Sequence, residues 1–320
     1  MCLDPGKRTF RHLSGLSSVT INTRCGATVS SIRLGAAETS HEILWAPDEQ
    51  SSEDCYHPLF PGRFLWPFCD RIPGGSYTFQ GNEYSLPLND PDSGDAIHGF
   101  FYEMPVSIVR NTEGTAETLL EMQAVLASNA VGGYPFAGRV VLTFVLEPSR
   151  LTVEMLCRNP GTTPCPVSFG WHPYFQLPGT RSVDDLLLQT TADSFVPVDG
   201  SLKPTGTIED VRDTEYDFRE QPSRKFTALA GRELDIALTC RRSHEIETVL
   251  RSATHDLFLR QSGAFRFQQL FIPPSRQAIA IEPLTAAANA FNEPQLGLHV
   301  LDPGEELAGR FAAELRVAEA

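Results

Sequence analysis

Five polar side chains stand in settings that an ordinary surface residue does not need. Glu282 interrupts AIAIEPL, which otherwise reads as a buried apolar strand, and a carboxylate taken out of water is costly unless it is paired or put to use. His172 sits in FGWHPYFQL, locked between Trp171 and Pro173. The proline fixes its own φ and biases the histidine before it toward an extended backbone. An imidazole held so stiffly is suited to aim a proton at a flat ligand, and equally suited to sit packed in a core. Arg71 in CDRIPGG, His98 in AIHGF and Asp235 in LDIALT complete the set. For Arg71 the plain alternative is a surface charge, and for His98 a turn residue ahead of Gly99. Together they offer proton-handling groups beside glycine, proline and aromatic rings.

Several chemistries are missing. There is no G-x-S-x-G elbow, P-loop, dinucleotide-binding glycine motif or H-E-x-x-H helix, which removes much nucleotide and metal chemistry from contention. The net charge of -14 argues against a nucleic-acid partner, because such binding needs clustered Lys and Arg to neutralise phosphates. No stretch approaches the roughly 18 apolar residues of a membrane span, and the start, MCLDPGKRTFRHLSG, lacks the apolar centre of a signal peptide. Seven cysteines, at 2, 25, 55, 69, 157, 165 and 240, form no C-x-x-C pair. Reduced thiols in a cytoplasmic protein are the economical expectation, with no zinc knuckle and no disulfide framework.

The elements that must position these groups read as strands. After the turn-like EPSR, Leu151, Val153, Met155 and Cys157 alternate with Thr152, Glu154, Leu156 and Arg158, the period of a half-buried strand. With AGRVVLTFVL before it, this predicts a long antiparallel hairpin. SSVTINT, ETLLEMQAVLA, DLFLRQS, FQQLFIPP and GRFAAELRV are similar, and in the last Phe311, Ala313, Leu315 and Val317 alternate. No apolar stripe at helical spacing lasts the 12 or so residues of an ordinary helix. The 24 prolines and 24 glycines fit many turns, so the expectation is an all-β sandwich or barrel with only short helical turns. No linker, low-complexity tract or internal repeat divides the chain, which predicts one domain over residues 1-320. The polar stretch 178-224 reads as a long excursion across the surface.

The order of motifs carries more than any one of them. PFCDRIPGGSYTFQGNEYSLPLN, IHGF, GYPFAGRVVLTFVL, GWHPYF, VPVDGSLKPTG, DFR, LDIALT, IEPLTAAANAFN and LDPGEEL follow one another between about residues 60 and 306, and in that succession the chain resembles the aldose 1-epimerase, or galactose-mutarotase-like, family. The resemblance implies a large antiparallel β-sandwich, a supersandwich, with a sugar in an open cleft across one sheet. It implies Glu282 as general base, His172 as general acid, and Arg71, His98 and Asp235 as residues that grip the substrate, with no metal and no cofactor. One departure stands out: members of the family often carry Asn where this chain has Asp70.

The reaction so implied is interconversion of the α and β anomers of a free aldose. A proton leaves O1 while another reaches the ring oxygen O5, and the ring opens to an aldehyde, rotates and closes. The apolar strand should raise the pKa of Glu282, and a nearby carboxylate should raise that of His172 toward protonation at neutral pH. Trp171, Tyr174, Phe175 and Phe291 are candidates to pack against the sugar, a core role being the safer expectation for at least two of the first three. The rival readings are an idle sugar-binding module, a phosphosugar epimerase, for which the motifs supply no extra basic cluster, and a glycoside hydrolase using Asp235 and Glu282 as its carboxylate pair.

Overall fold

In a computed structural model of the chain, residues 6-47, 57-223 and 225-318 are described. Antiparallel strands make up almost all of the regular structure, and the helical elements among these residues are four single 3-10 turns. No helix among them is long and apolar enough to cross a membrane.

The predicted hairpin forms as Gly138–Leu146 and Arg150–Arg158. It lies within a nine-stranded sheet in the order Ser107–Glu113, Thr118–Leu126, Gly138–Leu146, Arg150–Arg158, Glu306–Val317, His255–Gly263, Ile246–Arg251, Leu187–Thr190 and Thr227–Ala228. Burial follows the predicted alternation at all but one position: Leu151, Val153, Met155 and Cys157 are buried and Glu154, Leu156 and Arg158 are not, but Thr152, expected on the outer side, is buried as well. In Glu306–Val317 the pattern holds through Leu315, but Val317, at the end of the strand, is exposed.

A second sheet of eight strands runs in the order Glu209–Asp210, Ser194–Val196, Asp235–Thr239, Phe267–Phe271, Ile279–Leu284, Gly170–His172 and Arg63–Leu65, with Tyr174–Phe175 also paired to Ile279–Leu284. One of its faces packs on the nine-stranded sheet. Phe64 meets Phe144, and Trp171 and Phe175 meet Phe311, at ring separations of 5.5 to 6.2 Å. Gln268 is buried among the aromatics and is satisfied across the gap by Thr248 and Gln261, as a polar group in a dry core must be. A smaller four-stranded sheet comprises Lys7–Arg11, Ser18–Asn22, Thr28–Ala36 and Thr39–Glu42.

Two expectations are corrected. The stretch 178-224 is not only a surface excursion: Leu187–Thr190 joins the nine-stranded sheet, Ser194–Val196 and Glu209–Asp210 join the eight-stranded one, and Val183, Leu188, Val211 and Phe218 are fully buried. Its polar residues alternate with these anchors, which hides short strands from a reading based on composition. Nor are all the cysteines reduced. Cys25 is disulfide-bonded, whereas Cys69, Cys157, Cys165 and Cys240 are free and buried; Cys2 and Cys55 lie outside the described residues.

Because side chains alternate along a strand, the face of the eight-stranded sheet turned away from the core collects its own set. Trp171 and Phe175 point into the core, leaving His172 and Tyr174 on the other side; Ile279 and Ile281 do the same for Ala280 and Glu282. The loop that brings His98 to this face depends on Gly99. Its φ is +67°, and an added Cβ would lie 2.2 Å from the carbonyl oxygen of Trp66, which already accepts from the N–H groups of Phe100 and Phe101. Gly99→Ala is therefore expected to cost about 1–3 kcal/mol in urea unfolding. A loss below about 0.5 kcal/mol, within the scatter of ordinary surface changes, would show that this junction is not tight.

Candidate active site

A cavity of about 610 Å³ opens on that outer face, within the range of small-molecule sites. All five polar residues singled out in the sequence line it. Four strand neighbours supply most of its floor: Asp235 begins Asp235–Thr239, Gln269 lies in Phe267–Phe271, Glu282 in Ile279–Leu284, and His172 ends Gly170–His172. Register sets their neighbourhood, since Gln269 pairs with Ala237 on one side and with Glu282 on the other. Arg71 and His98 enter from the short pair Arg71–Ile72 and Ala96–Ile97 and the turn that follows it.

Nε2 of His172 lies 3.4 Å from Oε1 of Glu282, and both side chains are almost wholly buried, 7% and 3% exposed. The His172 ring stacks on that of Tyr174, with centroids 5.0 Å apart, and Tyr174 is pinned by its hydroxyl donating to the Leu59 carbonyl at 2.9 Å. His98 meets the His172 ring edge-on at 5.3 Å. Its Nδ1 accepts the N–H of Asp70 at 3.1 Å, so its proton sits on Nε2, leaving that nitrogen as a donor. His98 itself has φ of +62°, so it is both the turn residue expected before Gly99 and a member of the cleft.

Burial dominates the electrostatics. It pushes the Glu282 carboxyl well above its ordinary range, reinforced by the negative charges of Asp70 and Asp235 and opposed by Arg71. Asp235 rises to about 6, again by burial first and then by Asp70. The two imidazoles move the other way: burial lowers His172 to about 3, and burial, then His172 and Arg71, hold His98 well below 6.5. The expectation for Glu282 is met in direction. The expectation that a carboxylate would raise His172 is not, because the desolvation of a cation outweighs it in a site this dry. Burial thus favours the protonated carboxyl at Glu282 and the neutral imidazole at His172.

Arg71 is shared rather than paired. Its Nε reaches Asp90 Oδ2 at 3.3 Å and one terminal nitrogen stands 3.8 Å from Asp70 Oδ1, while a quarter of its side chain is exposed. Asp235 Oδ1 accepts a hydrogen bond from Gln269 Nε2 at 2.6 Å, and Gln269 Oε1 is buried with no partner. An orphaned acceptor of this kind is costly in a folded protein and fits a site awaiting a hydroxyl donor.

Sequence reading missed Gln269, Asn89, Asp90 and Lys203, which also line the cavity, and the apolar wall formed by Phe60 and Phe271. Of the four aromatics proposed to touch a ligand, Tyr174 does line the cavity. Trp171, Phe175 and Phe291 belong to the core. Alternation about His172 was the available signal for this division. No group of three or more His, Cys, Asp or Glu able to hold a metal ion is found among the described residues. Chemically, the cleft offers a carboxyl and an imidazole 3.4 Å apart, a neutral imidazole donor, and a surrounding set of acceptors and donors suited to hydroxyl groups.

Comparison with known proteins adds the following. A sequence model of the family described as aldose 1-epimerase matches residues 11–314. The uncharacterized protein YihR of Escherichia coli is 29% identical over 311 residues, covering 93% of this chain and 92% of that protein. Rat galactose mutarotase is 34% identical over 166 residues, 51% of this chain and 46% of the enzyme. Among solved structures, a galactose mutarotase-like protein from Clostridium acetobutylicum superposes with a TM-score of 0.85 at 17% identity, covering 99% of this chain and 98% of that one. An aldose epimerase homologue from C. elegans gives 0.82 at 19% identity, covering 98% of this chain and 99% of that one.

The shifted groups make stability depend on pH in a definable way. Glu282 keeps its proton in the folded state above the roughly 4.3 at which an unfolded Glu releases it. Its contribution is therefore fully present below that pH and is lost as pH rises toward the folded value. His172 acts oppositely between about 3 and about 6.5, where only the unfolded chain takes up the proton. Above pH 6.5 the Glu282 effect stands alone of the two. Glu282→Gln should therefore gain on the wild type by about 1.4 kcal/mol per pH unit while the folded wild type remains protonated. Urea unfolding of both proteins at intervals between pH 5 and pH 8 checks this; a difference that changes nowhere in that range would contradict a raised Glu282 carboxyl.

Proposed function

The chain belongs to the aldose 1-epimerase family, and from that premise we propose that it interconverts the α and β anomers of a free aldose by acid–base ring opening. The observation that carries the reading is the 3.4 Å contact between His172 Nε2 and Glu282 Oε1 on the floor of the cleft. Glu282 is proposed as the base that takes the proton from O1, and His172 as the acid that gives one to O5 as the C1–O5 bond breaks. The electron pair of the O1–H bond becomes the C1=O1 double bond of the aldehyde, and the electron pair of the C1–O5 bond goes to O5. Rotation about C1–C2 and closure from the other face run the same transfers in reverse and reset both groups. Nothing in this sequence of steps requires a metal or an organic cofactor.

Burial favours the protonated carboxyl of Glu282 and the neutral imidazole of His172, while the step needs carboxylate and imidazolium. These two forms carry the same total charge and number of protons, so the passage between them is a transfer across the existing contact rather than an uptake from solvent. A bound sugar favours the ionic form, because its hydroxyls donate hydrogen bonds to the carboxylate. The two groups then titrate as a pair, and apparent pKa values from kinetics belong to both.

Arg71, His98 and Asp235 are proposed to hold the sugar, with Gln269 as a further partner. Acidic residues outnumber basic ones around the cavity, where Asp70, Asp90, Asp92, Asp95, Asp235 and Glu282 face Arg71 and Lys203. This balance supports a free sugar over a phosphosugar, whose dianion would enter against like charge.

The protein is expected to speed the anomer exchange of freshly dissolved D-galactose or D-glucose, followed by polarimetry against the spontaneous rate with a chelator control. Glu282→Gln should bind sugar but turn over roughly 100-fold to 10,000-fold more slowly. No acceleration with any hexose or pentose, together with measurable sugar binding by calorimetry, would leave the idle binding module as the better reading. A folded Glu282→Gln protein with an unchanged rate would remove Glu282 from the mechanism.

A further inference from the structure

Past the catalytic pair, the floor of the cavity gives onto a small recess. It holds about 20 Å³, room for one water-sized group. Asp70, Arg71, Asp235 and Gln269 line both the recess and the cavity, so they form the rim between the two. Most of the remaining wall is apolar and small, with Val196, Val198, Pro204, Ala237, Ala287 and Ala288. Ala237 stands opposite Gln269 on the neighbouring strand, and Gln269 stands opposite Glu282 on the next, which puts Ala237 two strand spacings, about 10 Å, from the proposed base. Ala287 and Ala288 come from the segment that follows Ile279–Leu284. That segment is fixed against the rim, because the N–H of Asn289 donates to the Arg71 carbonyl at 2.7 Å. At the rim, Gln269 is nine-tenths buried, its Nε2 donates to Asp235 Oδ1 at 2.6 Å, and its Oε1 has no partner.

A hydroxyl group both donates and accepts hydrogen bonds. The rim supplies Arg71 as a donor and Asp235 and Gln269 as acceptors, whereas a hydrogen or a methyl group in the same place would leave them unpaired. Building on the acid–base reading above, we propose that the recess seats one hydroxyl from the C3–C4 edge of the pyranose, making Ala237, Ala287 and Ala288 specificity-determining residues for the configuration at that carbon. The orientation follows from the chemistry. Glu282 at O1 and His172 at O5 hold the C1–O5 bond over the catalytic pair, and C4 and C3 are the ring atoms directly across from C1 and O5. That edge lies toward the recess, since the cavity continues from Glu282 past Gln269 to Asp235. An epimer of opposite configuration at the carbon concerned aims its hydroxyl elsewhere and leaves the Gln269 oxygen unpaired.

The test measures sugar affinity by titration calorimetry on the full chain, with D-galactose, D-glucose and their 3-deoxy and 4-deoxy analogues as probes. In the wild type one deoxy analogue should bind roughly 10-fold to 100-fold more weakly than the better-bound parent sugar, the loss expected when a buried acceptor is left unpaired. Ala237→Val fills the recess from the sheet with a residue suited to a strand, and Ala288→Val fills it from the segment above, with near-UV circular dichroism as the check of fold. Each variant should weaken the parent sugar to the level of that analogue, while the analogue binds as it does to the wild type. Folded variants that bind the parent sugar as the wild type does, or that weaken parent and analogue equally, would overturn the proposal. So would deoxy analogues that both match the parent in the wild type, or loss of fold in both variants, since the recess would then have no room for a further group. A wild type that binds these sugars without exchanging their anomers would defeat the functional reading while the occupant of the recess was still decided; one that binds none of them would overturn both.

Discussion

Everything in the cleft depends on a shortage of water around one carboxyl and one imidazole. Desolvation disfavours the charged form of either group, and the sheet supplies it through Tyr174 stacked on His172 and a strand buried along its whole length beneath Glu282. Coulomb attraction at 3.4 Å would favour an ion pair, yet the burial of both partners outweighs it. Burial thus favours the neutral forms of both partners over the ionic ones. A site of this kind needs only new hydrogen bonds from a ligand to tip the proton across.

That poise has a cost in stability. Two buried acids, Asp70 and Glu282, and the half-buried Asp235 share one partly exposed guanidinium that is also drawn to Asp90, and Gln269 leaves a buried oxygen unpaired. A protein selected only for stability would replace several of these groups with apolar ones, as buried ion pairs often can be. The opposite face of the same sheet shows what such a surface looks like, with Trp171, Phe175, Ile279 and Ile281 packed against the second sheet. Strand alternation lets the two faces differ: the dry core packs the sheet on its partner, and the cost of burying ionisable groups is confined to the other side.

The same alternation explains what the sequence could tell. The hairpin at 138-158 was legible because Leu151, Val153, Met155 and Cys157 recur at every second residue after the turn-like EPSR, and Glu282 was legible because one acid in an apolar run has no ordinary explanation. Tyr174 and Trp171 could be separated by counting in twos from His172. Gln269 was not legible, since FQQLF is an unremarkable half-buried strand until its register with Ile279–Leu284 is known, and register is a long-range fact. Asp90 and Lys203 come from loops whose positions are set by packing far away in the chain. The strands within 178-224 were missed because each is only two to four residues long, too short for a period to show. The direction of the His172 shift was misjudged for a related reason: neighbouring charges can be guessed from motifs, but the degree of burial cannot.

The central claim, that burial outweighs the neighbouring carboxyl and holds the His172 imidazole neutral with a pKa lowered to about 3, is tested most directly by nitrogen-15 NMR of the histidine side chains between pH 5 and pH 8, with His172→Asn to assign the signal. The account predicts that the His172 imidazole stays neutral across the whole range. An imidazole that titrates near or above 6.5, or that is already protonated at pH 7, would contradict it.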